Sequence, residues 1–132
     1  MKHGMQHGRD HRRLGQILLF MTSFGFVASA VAESYHFAPA PQQDLNRIFR
    51  VDRVTGEMGA CAFAIKDETS VGITLCYPAG EGAKAGEPGD YMLVPSSHRQ
   101  EAGIFRVNRR TGEISICYVR GDQEVVCTAP AR

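Results

Sequence analysis

The sequence lacks the short motifs typical of common nucleotide, metal and protease sites. It has no G-x-x-x-x-G-K loop, no G-x-G-x-x-G, no H-E-x-x-H and no EF-hand pattern. No C-x-x-C pair occurs among the four cysteines, so a thioredoxin-like redox site lacks its motif. Tryptophan is also absent, but 43% of the residues are hydrophobic and 22% are charged, which is ordinary globular composition. Disorder along the whole chain, collagen and coiled coil are therefore disfavoured.

Charge is missing from residues 14–32, and this apolar run indicates how the chain begins. Basic residues precede the run, and the small residues of Ala30-Val31-Ala32 end it. This order predicts a cleaved secretory signal peptide at residues 1–32 and a periplasmic or secreted protein. Cleavage after Ala30 is one alternative. The other is an uncleaved anchor, since nineteen residues can just span a bilayer, and only this form would place the protein at a membrane.

Removal of residues 1–32 also removes the apparent basicity of the chain. Lys and Arg fall from 15 to 11, and Asp and Glu fall from 14 to 13, so the net charge changes from +1 to −2. This charge gives no electrostatic reason to expect nucleic-acid binding. The cysteine spacings of 15, 41 and 10 are unlike those of a zinc site. We therefore expect no metal and no cofactor.

The exported part carries one motif twice. IFRVDRVTGEMGAC at residues 48–61 recurs as IFRVNRRTGEISIC at residues 104–117, a displacement of 56. Tyr35 and Tyr91 are related by the same displacement. This repetition predicts an all-β fold made of two homologous short antiparallel units. The expected divisions are a first β unit at residues 33–77, a flexible Gly/Ala/Pro-rich linker at 78–89 and a second β unit at 90–132.

Each copy of the motif predicts a β-hairpin with one apolar face. A four-residue turn at residues 53–56 pairs Val51 with Met58 and then Phe49 with Ala60. The corresponding apolar residues of the second copy are Phe105, Val107, Ile114 and Ile116. We expect the two apolar faces to pack against each other with approximate two-fold symmetry, because a lone small sheet cannot bury its apolar side.

Four residues are assigned to capping the two hairpin turns. The Asp52 side chain can accept hydrogen bonds from the turn amides, and Gly56 can take the positive φ of such a turn. Asn108 and Gly112 are their counterparts in the second copy. Asparagine keeps the acceptor without the charge, and this exchange favours a structural role over proton transfer.

The four cysteines are assigned to disulfides. An even number of cysteines in an exported chain indicates a disulfide framework, and four cysteines allow three connectivities. Duplication of a self-sufficient unit predicts the bridges Cys61–Cys76 and Cys117–Cys127. Each bridge closes a short loop, which stabilises the fold by roughly 2–3 kcal/mol in the chain-entropy model.

Arginines of the two turns are the candidate ligand-binding residues. Arg53, Arg109 and Arg110 could bind a carboxylate, phosphate or sulfate of a polyanion. Arginines also recur within the strands, and for these we expect cross-strand ion pairs on a solvated face. The expected pairs are Arg50 with Glu57 and Arg106 with Glu113.

No catalytic residue is predicted. Ser96-Ser97-His98 contains a nucleophile and a base, but adjacent residues seldom reach each other, and no G-x-S-x-G elbow is present. We therefore expect a non-enzymatic envelope module whose partner is a protein or a polyanion, with a homodimer through open strand edges as one form of assembly. The alternatives are a small periplasmic hydrolase that uses His98 and a membrane-tethered structural protein.

The repeated motif carries two resemblances. F-R-V-D-x-x-T-G-E resembles the hairpin of quinoprotein-type β-propeller blades, but two copies are too few for a propeller of typically four to eight blades. The chain is also similar to small uncharacterised secreted proteins of proteobacteria with a duplicated F-[RL]-x-[DN]-x-x-T-G-x-x-x-x-C unit. This similarity covers Tyr35–Cys76 and Tyr91–Cys127. It implies export and a repeated β unit, and it implies no activity.

Overall fold

The all-β fold is confirmed. The computed structural model describes Gly4 and residues 33–132, and the expected signal peptide therefore lies outside the described residues, apart from Gly4. The described part folds into two four-stranded antiparallel sheets. None of its residues form a helix that could cross a membrane.

Each sheet is a meander in which every strand pairs with the next one along the chain. Sheet 1 contains β1 (Tyr35–Pro39), β2 (Arg47–Asp52), β3 (Met58–Lys66) and β4 (Val71–Tyr77). Sheet 2 contains β5 (Tyr91–Val94), β6 (Ile104–Asn108), β7 (Ile114–Arg120) and β8 (Glu124–Cys127). This simple order follows from short connections, because adjacent antiparallel strands need only a turn between them.

The expected hairpin register is confirmed in both sheets. Val51 lies opposite Met58, and Phe49 lies opposite Ala60. The pairs of sheet 2 follow at a displacement of 56, namely Val107 with Ile114 and Phe105 with Ile116. We call the face of either sheet that carries these pairs its front face, and the opposite one its back face.

The hydrophobic core lies between the two sheets. The front face of sheet 1 contributes Phe49 and Val51, which are both 0% exposed. The back face of sheet 2 contributes Leu93 at 2% exposure and Ile104 at 0%. Full burial of one such side chain stabilises the fold by about 1.5–3 kcal/mol relative to leaving it exposed.

The two sheets therefore stack front to back, and the expected face-to-face packing with two-fold symmetry is wrong. On the front face of sheet 2, Phe105 is 36% exposed and Ile114 is 44% exposed. The back face of sheet 2 can be buried because Leu93 and Ile104 are apolar and its polar residues form hydrogen bonds there. These polar residues are Arg106, Asn108 and Ser115.

The connection between the sheets, residues 78–89, differs from the flexible linker that its composition predicts. Ala79 forms a parallel bridge with Val125, which adds the linker to the β8 edge of sheet 2. Ala83 is fully buried, and its carbonyl accepts a hydrogen bond of 2.8 Å from the amide of Met58. The linker is thus bonded to both sheets and is part of the folded unit.

Candidate functional site

The two expected disulfides are confirmed, each within one sheet. Cys61 and Cys76 lie directly opposite each other on β3 and β4, and Cys117 and Cys127 do so on β7 and β8. The first bridge lies on the exposed back face of sheet 1. The second lies in the core, where Cys117 is 0% exposed. Two disulfides in a domain of this size are consistent with an oxidising, exported location.

Asp52 caps the first hairpin turn. Its Oδ1 accepts hydrogen bonds from the amides of Val54 and Thr55 at 2.8 and 2.9 Å. These bonds, above all the one from Thr55, lower the pKa of the Asp52 carboxyl, although partial burial opposes the shift. Gly56 ends the turn with a φ of 73°, in the left-handed region that glycine accepts without strain.

Asn108 occupies the same position in the second turn and is more deeply buried. Its Oδ1 accepts hydrogen bonds from the amides of Arg110 at 3.1 Å and Asp90 at 3.4 Å. Asn108 is only 6% exposed, so a carboxylate here would lose its hydration. The exchange of Asp for Asn thus follows from burial. Gly112, with a φ of 76°, ends this turn as Gly56 ends the first.

An aspartate lies between two of the three turn arginines. The Asp90 carboxylate is 3.6 Å from Arg53 Nη2 and 2.8 Å from Arg109 Nη2. It also accepts a hydrogen bond of 2.9 Å from Arg109 Nε, and Arg53 approaches Glu33 at 3.9 Å. Within residues 33–132, Arg110 is the one member of this group without an ion pair. The chain's own carboxylates thus neutralise most of the charge that a polyanion would use.

Arg106 is a buried latch between the sheets. Its side chain donates hydrogen bonds to the carbonyls of Gly56 at 2.8 Å and Gly82 at 3.0 Å, and to Ser115 Oγ at 3.3 Å. Arg106 is 8% exposed, and this burial lowers the pKa of the guanidinium, partly offset by its interaction with Tyr91. One side chain thereby joins sheet 2 to the first turn and to the linker.

The expected ion pairs Arg50–Glu57 and Arg106–Glu113 are wrong, since neither forms within residues 33–132. Glu113 instead lies 3.4 Å from Arg132. The reason is the direction of the arginine side chains. Both side chains instead lie over a tyrosine ring of the back face, Arg50 over Tyr35 and Arg106 over Tyr91.

Each sheet carries the same arginine–tyrosine pair on its back face. The Arg106 guanidinium lies 5.9 Å from the centre of the Tyr91 ring, and that of Arg50 lies 5.5 Å from the centre of the Tyr35 ring. Such distances give favourable cation–π contacts. The Tyr91–Arg106 pair is covered by sheet 1, whereas Tyr35 is 43% exposed. The cation–π contact of each arginine with its tyrosine was not predicted from the sequence, although the joint recurrence of the two residues is a signal for it.

The tip of the β3–β4 hairpin forms an apolar arm, which we define as residues 63–75. It arises because the cysteines are 15 residues apart in the first unit and only 10 apart in the second. Phe63 and Ile65 are each 58% exposed on its back face. The front face exposes Val71 at 54%, Ile73 at 40% and Leu75 at 41%. The residues that the longer spacing adds continue both strands as far as the pair Lys66 and Val71.

The serine–histidine segment forms no catalytic pair. The backbone amide of His98, rather than its imidazole, donates to Ser96 Oγ at 3.3 Å. The other histidine of residues 33–132, His36, accepts a hydrogen bond of 3.0 Å at Nδ1 from the amide of Leu93. In residues 33–132 no cluster of three or more His, Cys, Asp or Glu side chains could hold a metal ion.

A cavity of about 380 Å³ lies beside the linker. Its ionisable lining consists of Glu81, Lys84, Tyr91 and Arg106. The Arg106 guanidinium already donates to two carbonyls there, and the lining holds neither a histidine nor a free thiol.

No protein-family model matches the chain, no curated protein matches it, and no solved structure matches its fold. A function therefore has to be inferred from the exposed surfaces of the molecule. They are the apolar arm and the two sheet faces that residues 33–132 leave uncovered.

Proposed function

We propose that this chain is an exported, non-enzymatic module that binds a protein partner through the apolar arm. The observation that carries the proposal is the exposure of apolar side chains on both faces of one hairpin. Phe63 and Ile65 lie on one face, and Ile73 lies on the other. Contiguous exposed apolar surface of this kind marks interaction sites on soluble proteins.

The surroundings of the arm resemble the rim of a protein interface. The arm includes the turn Asp67–Ser70, and this turn together with Lys66 is polar and exposed. Protein interfaces typically combine an apolar centre with a polar, solvated rim. A hairpin presents an extended surface and backbone groups that a partner can contact. A protein therefore suits this surface better than a small molecule.

Export is supported by two independent features. The apolar run at residues 14–32 has the order of a signal peptide, and both cysteine pairs are oxidised. The partner is therefore a protein of the envelope or the extracellular space.

A polyanion is the weaker candidate partner. Arg53 and Arg109 are held by Asp90, which leaves Arg110 as the accessible cation of the group. If Arg53, Arg109 and Arg110 are all replaced by alanine, retention on an anionic resin should hardly change. A large loss of retention would favour the polyanion over the protein partner.

The arm is tested by photo-cross-linking in the native envelope. A photoreactive phenylalanine analogue is placed at Phe63 and, as a control of similar exposure in a turn, at Val54. We expect a discrete cross-linked protein from the Phe63 position and none from Val54. The Ile73→Ser variant, which alters the other face of the arm, should weaken this cross-link by about tenfold. Identical cross-links from both positions, or no effect of Ile73→Ser, would contradict the proposal.

A further inference from the structure

Residues 33–132 bury one face of each sheet and leave uncovered the counterparts of these two faces. The back face of sheet 1 is open, and its residues correspond at a displacement of 56 to the buried back face of sheet 2. Ile48 is 45% exposed, whereas its counterpart Ile104 is 0% exposed. Phe37 is 59% exposed, whereas its counterpart Leu93 is 2% exposed.

The front face of sheet 2 shows the complementary relation. Phe105 is 36% exposed, and its counterpart Phe49 in sheet 1 is 0% exposed. Ile114 is 44% exposed, and its counterpart Met58 is 2% exposed. One end of the molecule thus presents a free back face, and the other end presents a free front face.

We propose that copies of this chain associate head to tail. The back face of sheet 1 in one copy stacks on the front face of sheet 2 in the next, as sheet 2 stacks on sheet 1 within the chain. The internal interface already demonstrates that a front face and a back face of this sequence pattern fit together. The occupant of both free faces is therefore a second copy.

The free ends also carry the counterparts of the residues that form polar contacts in the internal interface. Within the chain, the Tyr91 ring covers Gly56 so closely that a Cβ there would lie 2.8 Å from it, and Arg106 donates to the Gly56 carbonyl. The counterpart of Gly56 is Gly112, and no atom lies within 4 Å of the place of its Cβ.

The matching donor is already in position on the opposite end. Arg50 lies over the ring of Tyr35 as Arg106 lies over the ring of Tyr91. In the head-to-tail contact, Tyr35 of one copy covers Gly112 of the next, and Arg50 donates a hydrogen bond to the Gly112 carbonyl. This contact uses β1, β2 and the second hairpin turn, and Phe63 of the arm lies on the same back face, as the counterpart of Val119.

The contact is heterologous, so its geometry favours a closed ring or, if the rotation does not close, a filament. Stacked four-stranded meanders close into rings of four to eight sheets, which corresponds to roughly two to four copies of a two-sheet chain. The proposed assembly is the closed ring, in which every copy buries both of its free faces. A two-fold dimer through strand edges would use different surfaces.

The proposal is tested by the mass of the purified protein, produced from the full chain and measured by light scattering and sedimentation. We expect a defined oligomer of two to four copies. Arg50→Glu disables the back face, and Phe105→Asp disables the front face, so each variant alone should be monomeric. The matched controls Arg99→Glu and Val54→Asp change exposed residues outside both faces and should still form the oligomer.

Mixing the two disabled variants separates this contact from a two-fold one. Each variant retains one intact face, so the mixture should form a one-to-one dimer that grows no further. Circular dichroism of each variant shows that it is folded. A monomeric unmodified protein, an oligomer that survives both substitutions, or variants that fail to complement each other would overturn the proposal. The identity of the protein cross-linked at Phe63 keeps the two proposals apart: a cross-link to a second copy of the chain reports this contact, and one to another protein reports the arm.

Discussion

A single carboxylate organises the first hairpin turn and makes it sensitive to acid. The turn amides lower the pKa of Asp52 from its ordinary value of 3.8. Because the folded state holds the carboxyl ionised, this contribution to stability is present above pH 3.8 and is lost as the pH falls through the folded pKa. We expect the free energy of unfolding to fall with acid in this window, and less so in Asp52→Asn.

The variant Asp52→Ala separates the hydrogen bonds from the charge. It removes the acceptor of two backbone amides, so it should cost roughly 1 kcal/mol of stability at neutral pH. Asp52→Asn keeps an acceptor, as Asn108 does in the second turn, and should cost less. Urea denaturation at neutral and acidic pH measures both effects. Equal acid sensitivity of Asp52→Asn and the unmodified protein would show that the carboxyl plays no part in it.

The latch residue Arg106 makes a larger contribution, because its partners are buried. Arg106→Ala leaves the carbonyls of Gly56 and Gly82 without a donor and should destabilise the protein by about 3 kcal/mol. Arg106→Lys should rescue little of this loss, since one ammonium group lacks the planar fork that serves two carbonyls. Arg110→Ala, an exposed control, should stay within about 0.5 kcal/mol. Thermal and urea unfolding measure these differences. If Arg106→Ala left the stability unchanged, Arg106 would not act as a latch between the sheets.

Individual strands and their register could be predicted from the sequence, but the choice of buried face in sheet 2 could not. Val107 and Ile114 alternate with polar residues, and this local pattern correctly places them on one face. Leu93 and Ile104 are apolar residues of the other face, but Arg106 on the same face is typical of a solvated surface. Only contact with sheet 1 decides between them, and no local pattern contains that contact.

The candidate site was less predictable than the scaffold. The disulfide pairing follows from repetition, because both cysteines of a pair lie in one unit. The spacing of 15 between Cys61 and Cys76 gives the length of the insertion but not its conformation. Continued strands at Phe63 and Ile73 turn that insertion into an exposed arm rather than a loop. The arm became visible only once strand pairing was known.

The two disulfides should differ in their effect on stability, and the order depends on packing. Loop closure alone favours Cys61–Cys76, whose separation is 15 against 10 for Cys117–Cys127. The second bridge, however, is part of the core, and Cys117 is fully buried. We expect the double alanine variant of Cys117–Cys127 to lose more stability, by about 1 kcal/mol or more, because it also leaves a cavity. Urea unfolding of both double alanine variants measures the two losses of stability. A larger loss in the variant without Cys61–Cys76 would indicate that chain entropy dominates.

At the scale of the whole molecule, the linker joins both sheets into one cooperative unit, and glycine substitutions can test this. A Cβ at Gly82 would collide with the carbonyl oxygen of Cys127, whereas one at Gly86 would only reach 3.8 Å from the carbonyl oxygen of Thr55. Gly82→Ala should therefore destabilise both sheets together by about 2 kcal/mol, and Gly86→Ala should change stability by less than about 0.5 kcal/mol. Hydrogen exchange of β2 and β6 would report the two sheets separately. If Gly82→Ala loosened β6 while leaving β2 protected, the sheets would be independent units, and the front-to-back interface would be too weak to serve as the template for assembly.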